Sequence, residues 1–182
     1  ISEDYISPPG DTISDILEER DWNQSELAKR IGYTPKHINQ IIQGKASINE
    51  EAALKLEKVL GGSAKFWLNR ESQYRELIAR KSEAETINSW VDWLNAFPIK
   101  ELMKSGAIPN IVNNKSNKPK IVEFLLRFFS VASPDDFNNK YGNLELSFRR
   151  NHEETSHLGA IRAWLRMGEI EAERIDAPDY DK

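Results

Sequence analysis

The stretch QSELAKRIGYTPKHINQIIQGK, residues 24–45, predicts two short helices joined by a tight turn. Asn23 can cap the first helix, and Glu26, three residues further on, completes the pattern of a capping box. An apolar stripe at helical spacing follows, made of Leu27, Ala28 and Ile31. Gly32 then stands where the chain must turn sharply, and glycine can adopt the positive φ that such a turn needs.

The second helix has start and stop signals of its own. Thr34 can cap it, Pro35 suits its first position, and Gly44 follows its last turn. Its apolar stripe consists of Ile38, Ile41 and Ile42. Two capped helices around a glycine turn are the pattern of a helix-turn-helix, whose second helix enters the major groove of DNA.

The face opposite that stripe is polar and consists of Lys36, His37, Asn39, Gln40 and Gln43. Glutamine and asparagine amides match the edge of adenine, and lysine reaches guanine. We predict that Lys36, His37 and Gln40 lie nearest the base edges. The other predicted DNA-binding residues are placed for phosphates or edge contacts: Gln24, Thr34, Asn39, Gln43 and Lys45. The alternative, a merely solvated helix face, is less favoured because both caps, the turn and the spacing agree.

The composition of the 182 residues limits the classes to which the protein can belong. Charged residues make up 30% and hydrophobic residues 39%, which suits a water-soluble chain with enough apolar content for a core. The sequence has neither a window that resembles a membrane span nor the pattern of a signal peptide. It contains no cysteine, which excludes disulfides and thiolate metal sites. We therefore expect a cytoplasmic protein with no membrane partner.

Charge is distributed unevenly along the chain. The net charge is −4, whereas residues 23–45 hold four basic side chains and one acidic side chain, which gives 4 − 1 = +3. The basic residues are Lys29, Arg30, Lys36 and Lys45. A modest basic surface on an acidic protein predicts DNA binding that depends on salt and on dimer formation.

The pattern of caps and apolar positions predicts an all-α fold in two parts. The first, residues 1–80, is expected to be a five-helix, repressor-like helix-turn-helix DNA-binding domain of the lambda-repressor type. The second, residues 81–182, is expected to be a smaller helical accessory or linker domain. Besides the motif, the first part should contain helices at 12–20, at 50–60 capped by Asn49, and from Ser63 onward. Pro8-Pro9-Gly10 predicts a turn that resists helix.

The second part is predicted to be helical after a long helix or connector at residues 71–86. Trp90, Trp93 and Phe97 make residues 89–97 rich in aromatic side chains. After these we expect a helix from Pro98 to Gly106, a polar loop at 108–120 and a buried helix at 121–129. A short helix at 134–140 should stop at Gly142, and Gly168 should separate two last helices at 155–167 and 169–175.

The segment GGSAKFWLNRESQYREL, residues 61–77, is more specific than the helix-turn-helix pattern. With the motif and Ile48-Asn49, it resembles the Xre/Cro helix-turn-helix superfamily, and within it the HigA-type antitoxins of bacterial toxin–antitoxin systems. The resemblance covers roughly residues 8–80. It implies a homodimer on a palindromic operator in double-stranded DNA, a toxin protein as a possible partner, and repression of the chain's own operon.

The remainder carries a second, less specific resemblance. PIKELMKSGAI, LLRFFSVASPDDF, FRRNHEE and AIRAWLRMGEIEAERI resemble the linker segment of longer proteins in which a helix-turn-helix precedes an ImmA/IrrE-type metallopeptidase-like domain. Those proteins carry a His-Glu-x-x-His zinc helix, and we expect this chain to correspond to the part before it.

The residues themselves argue against catalysis. His152 and His157 lie five apart, so on a helix they diverge by about 140°, whereas a zinc-peptidase pair is spaced by four. Lys115, Lys118 and Lys120 could touch phosphate, although a solvated loop is the favoured interpretation. We expect no enzyme activity, metal or cofactor. The alternatives to a DNA-binding regulator are a protein-interaction module that neutralises a toxin and binds DNA weakly, or the regulatory half of a metallopeptidase-linked regulator.

Overall fold

A computed structural model describes residues 7–149 and 158–174 of the chain. Every regular element of these residues is a helix, so the predicted all-α fold is confirmed. The chain divides into two compact units, residues 1–82 and residues 83–182. The second unit is the longer one, although we expected the smaller domain there. Among the described residues, no helix is both long enough and apolar enough to cross a membrane.

The first unit is built from five helices, as predicted. They are α1 (Pro9–Glu19), α2 (Gln24–Ile31), α3 (Pro35–Ile42), α4 (Glu50–Leu60) and α5 (Ala64–Ser89), the last of which extends past residue 82. Each helix contributes at least one large side chain with at most 1% exposure to a common core: Ile13, Leu27, Ile38, Leu56 and Trp67. The indole Nε1 of Trp67 donates to the carbonyl oxygen of Gly61 at 3.0 Å, which satisfies its one polar atom.

The start of α1 differs from the prediction. We expected a turn at Pro8-Pro9-Gly10 and a helix from Thr12, but α1 begins at Pro9. Proline suits the first turn of a helix because its fixed φ is helical and the amide it lacks would have no partner there. Gly10 faces the backbone of Ile42, and a Cβ at that position would overlap the Ile42 carbonyl group. The glycine therefore permits close packing of α1 on α3.

The starts of α4 and α5 follow from local side-chain caps. Asn49 Oδ1 accepts from the amide of Ala52 at 2.9 Å, and Ser63 Oγ accepts from the amide of Phe66 at 3.1 Å. Both bonds satisfy amides that have no partner within the helix. The predicted helix at 50–60 is confirmed, and the predicted connector at 71–86 is part of the single helix α5.

The second unit surrounds an aromatic core. It contains a 3-10 helix at Val91–Ala96, followed by α6 (Ile99–Lys104), α7 (Lys118–Phe129), α8 (Pro134–Arg149) and α9 (Leu158–Arg174). The ring of Phe129 lies 5.4 Å from that of Phe97 and 4.7 Å from that of Phe137, in tilted and edge-on arrangements. The predicted buried helix is confirmed as the main part of α7, which buries Ile121, Val122, Leu125, Leu126, Phe128 and Phe129. The predicted loop at 108–120 ends at residue 117, because α7 begins at Lys118.

Two glycines that we expected to end helices lie inside them. Helix α8 continues through Gly142 to Arg149, and α9 runs through Gly168 without the predicted break. Glycine within a helix costs about 1 kcal/mol relative to alanine, which burial of neighbouring side chains exceeds. In α9, Arg166 is buried and its Nε donates to the carbonyl oxygen of Phe128 at 2.9 Å, which joins α9 to the end of α7. The predicted helix start at 155–157 and both His152 and His157 lie outside the described residues.

Candidate nucleic-acid interface

The turn between α2 and α3 has the predicted geometry. Asn23 Oδ1 accepts from the amide of Glu26 at 2.9 Å, and Thr34 Oγ1 accepts from the amide of His37 at 3.2 Å. Gly32 has φ 70° and ψ 35°, the left-handed conformation that glycine adopts without strain. The Glu26 carboxylate does not complete the capping box but accepts from Nε of Arg30 at 2.7 Å. Both helices are therefore fixed at their starts by short local bonds.

The end of α3 is held by backbone bonds and by α5. The amide of Lys45 donates to the carbonyl of Gln40 at 2.8 Å, and the amide of Gly44 donates to that of Ile41 at 3.0 Å. Gly44 has φ 67°, and a Cβ there would overlap the ring of Tyr74 from α5. The turn after α3 therefore requires glycine for its conformation and for the close approach of Tyr74.

All eight residues predicted to bind DNA lie on the segment that runs from the start of α2 to the turn after α3. Four are exposed, namely Thr34, Lys36, Gln43 and Lys45. Four are half-buried, namely Gln24, His37, Asn39 and Gln40. The stripe beneath them is buried at Ile38 and Ile41, while Ile42 is half-buried. The predicted residues thus lie on α2, on α3 and in the turns that follow them, and none of the eight is fully buried.

Two polar side chains on this surface are already paired with each other. Gln43 Nε2 donates to Asn39 Oδ1 at 3.3 Å, an i to i+4 contact along α3. The bond uses one acceptor of Asn39 and one donor of Gln43, so each side chain keeps further hydrogen-bonding capacity. It also restricts the rotamers of both before any ligand arrives.

The residues that orient His37 were missed by the sequence analysis. The ring of Tyr33 meets the His37 ring edge-on with centroids 4.8 Å apart, and Lys55 Nζ lies 4.4 Å from the Tyr33 centroid. Glu51 pairs with Lys55 at 2.7 Å. The hydrogen bond from Lys55 lowers the pKa of the Glu51 carboxyl, and the same bond raises the pKa of Lys55. The i to i+4 spacing of Glu51 and Lys55 could have indicated their pairing, but not the contact of Lys55 with Tyr33.

A second aromatic contact holds Arg30, one of the two basic side chains of α2. The guanidinium carbon of Arg30 lies 4.1 Å from the ring centroid of Trp22, and its Nε is bonded to Glu26. The guanidinium carbon of Arg20 lies 5.2 Å from the centroid of the same ring. Cation–π contacts of this kind position a guanidinium group without neutralising its charge. Within the part of the chain that the structure describes, no cluster of three or more His, Asp or Glu side chains is placed to hold a metal ion.

A known protein family matches the part of the chain that contains α2 and α3. The HTH_3 helix-turn-helix family profile matches residues 13–67. The HTH-type transcriptional regulator YddM of Escherichia coli strain K12 is 32% identical over 74 residues, which are 41% of this chain and 79% of that protein. Virulence-associated protein I of Dichelobacter nodosus is 30% identical over 88 residues, which are 48% of this chain and 70% of that protein. A solved structure of a proposed antidote protein of a plasmid maintenance system from Nostoc punctiforme is 33% identical, with a TM-score of 0.42, and covers 43% of this chain and 87% of that one.

Proposed function

The chain belongs to the helix-turn-helix family of DNA-binding regulators, and we propose that it is a sequence-specific repressor that binds a palindromic operator as a homodimer. One observation carries the proposal most directly. Helix α3 is fixed at its start by Thr34 and at its end by the Gly44 turn, and it presents a polar face between them. A rigid helix with amide and cationic side chains is what readout of base edges requires.

We assign base contacts to Lys36, His37 and Gln40 of α3. Lysine can donate to guanine O6 and N7, and the glutamine amide can donate and accept at adenine N7 and N6. The remaining proposed contacts, to phosphates or to the margins of the bases, come from Gln24, Thr34, Asn39, Gln43 and Lys45. The edge contact of His37 with Tyr33 supports this assignment, because a ring held in one orientation loses less entropy on binding.

The proposed homodimer rests on exposed apolar side chains of α5. Phe66 is 41% exposed and Leu77 is 42% exposed. They lie eleven residues apart, which is about three helical turns, so both occupy the same side of α5. Contact with a second copy would remove this apolar surface from water. Two copies related by a two-fold axis would place their α3 helices in half-sites about 34 Å apart.

The finer biological role proposed is that of an antitoxin which represses its own toxin–antitoxin operon. Its support is the similarity of residues 61–77 to HigA-type antitoxins. A second candidate function is a protein-interaction module that neutralises a toxin and binds DNA weakly. The exposed indole of Trp164, 68% accessible on α9 of the second unit, favours that candidate because large exposed aromatics are common in protein interfaces. The chain is proposed to act in the cytoplasm without catalysis or cofactor.

Selection of DNA from a random duplex pool tests the proposal. We expect enrichment of a two-fold symmetric sequence, bound by two protomers in sedimentation experiments. Enrichment of no sequence, with DNA affinity that depends only on salt, would contradict specific recognition and leave the interaction module as the better candidate. A single protomer on each enriched site would contradict the dimer.

A further inference from the structure

Two adjoining depressions lie in the second unit beside the 3-10 helix. The larger, about 540 Å³, is lined by Asn88, Val91, Asn113, Asn114, Lys115 and Lys118. The smaller, about 380 Å³, shares Asn113 and Lys118 with it and continues along the segment 94–101. We refer to the two together as the Asn/Lys groove. Both volumes fall within the range of small-molecule sites in proteins.

Positive charge is concentrated around the Asn/Lys groove. Residues 98–120 contain five lysines and one glutamate, which gives 5 − 1 = +4 in a chain whose net charge is −4. Arg30, Arg75 and Arg127 each form an ion pair one helical turn away. The five lysines form no such pair with a carboxylate of the described residues: Lys100, Lys104, Lys115, Lys118 and Lys120. No carboxylate of the described residues therefore neutralises their charge.

The loop that carries Lys115 is held by its own side chains. Asn114 Oδ1 accepts from the amide of Asn117 at 2.9 Å, and Asn117 Nδ2 donates to the carbonyl of Val112 at 2.8 Å. Ile108, at the beginning of the loop, is 2% exposed in the core of the second unit. These bonds and contacts hold the backbone of the loop, and Lys115 and Lys118 line the same depression before a ligand binds, which reduces the entropy cost of binding.

The groove differs in character from one end to the other. The larger depression is lined by asparagine, lysine and valine side chains, and most of its accessible surface is apolar. The smaller one includes Leu94, Phe97 and Glu101 in its lining, and most of its accessible surface is polar. A ligand that fits the groove would have an anionic part at the lysine ammonium groups and a less polar part against the apolar surface of the larger depression.

We propose that the Asn/Lys groove binds a small phosphate-bearing molecule, with its phosphate groups held by Lys115, Lys118 and Asn113. Ammonium and amide N–H groups are phosphate donors, and bonds between charged partners are the stronger class of hydrogen bond. The concave shape favours a small molecule over duplex DNA, whose backbone is convex. This site belongs entirely to the second unit and does not depend on the DNA-binding role of α3.

Calorimetric titration of the full chain with tripolyphosphate and with ATP tests the site. At low salt, where surface charges are least screened, we expect both probes to bind and ATP to bind more tightly because it also carries an apolar part. The double substitution Lys115→Gln, Lys118→Gln should weaken both by about tenfold or more, since two charged contacts are lost. Lys115→Gln alone, at an exposed position, should give a smaller loss in the same direction.

The control is Lys58→Gln, which removes an exposed lysine of α4 and should leave both affinities unchanged. Circular dichroism of each variant checks that the helices remain. Failure of both probes to bind at millimolar concentration overturns the proposal, and so does equal affinity for the wild type and the folded double variant. Binding of random duplex DNA through Lys115 and Lys118, with no binding of ATP, overturns it in favour of a second DNA-contact surface.

Discussion

At the scale of single residues, the side-chain amide of Gln40 is its group available for contact with a base. Its backbone carbonyl already accepts from the amides of Lys45 and Ala46, at 2.8 and 3.0 Å. The half-buried side-chain amide is the part that can reach a base. Because an amide can donate and accept at once, it can discriminate adenine from the other bases.

Replacing Gln40 with alanine should therefore reduce affinity for the operator by about 1–3 kcal/mol, or about 5- to 150-fold, and relax specificity at one base pair. Titration with the operator and with its single-base variants measures both effects. Gln73→Ala, an exposed position on α5, is the matched control. Unchanged operator affinity of Gln40→Ala would show that our register for α3 is wrong.

Lys45 illustrates the other kind of contact. It is exposed in the turn after α3, where a cation can meet a phosphate but has less reach to a base. Lys45→Ala should weaken binding to all DNA sequences alike and reduce the slope of log affinity against log salt by about 0.9. The measurement is the affinity of each variant for the operator and for a random duplex, titrated over a range of salt concentrations. Lys58→Ala is the control. A loss confined to one sequence would instead assign Lys45 to base readout.

At the scale of elements, two glycines within helices have opposite roles. Gly10 sits against the carbonyl group of Ile42, so it determines how closely α1 approaches α3. Gly142 lies inside α8, and a Cβ added there would meet nothing within 4 Å. The same residue type is thus required at one position and merely tolerated at the other.

Gly10→Ala should destabilise the first unit by roughly 1–3 kcal/mol, because the added methyl forces the two helices apart. Gly142→Ala should stabilise the second unit by about 0.5–1 kcal/mol, because alanine favours helix and restricts the unfolded chain. Denaturant unfolding of each variant measures both changes in stability through the shift of the unfolding midpoint. A stabilised Gly10→Ala variant would mean that α1 and α3 are less tightly packed than described.

At the scale of the whole molecule, DNA binding by a single motif of local charge +3 is weak, so the proposed dimer determines affinity. Leu77→Lys should give a monomer in sedimentation and a large loss of operator affinity, because it places a charge in the proposed apolar contact. Ser72→Lys, on another side of α5, adds the same charge as a control. A Leu77→Lys variant that remains dimeric would show that the second copy contacts another surface.

The amino-acid sequence by itself determined the motif because its signals act over three or four residues. Asn23, Thr34 and Asn49 each bond to an amide three residues on, and Gly32 takes its left-handed conformation within one turn. Such contacts form whenever the local chain is helical, so the pattern of side chains is sufficient to predict them. The predicted DNA-facing residues follow from the same periodicity, since the face opposite a buried stripe is fixed by helical geometry.

Only the tertiary structure decided where breaker residues stop a helix and how His37 is oriented. Gly10, Gly142 and Gly168 lie inside helices because packing free energy outweighs a local preference of about 1 kcal/mol. The contact of Lys55 with Tyr33 joins residues far apart in the chain. Its geometry arises from the packing of α4 near the turn between α2 and α3, and local spacing carries no information about it.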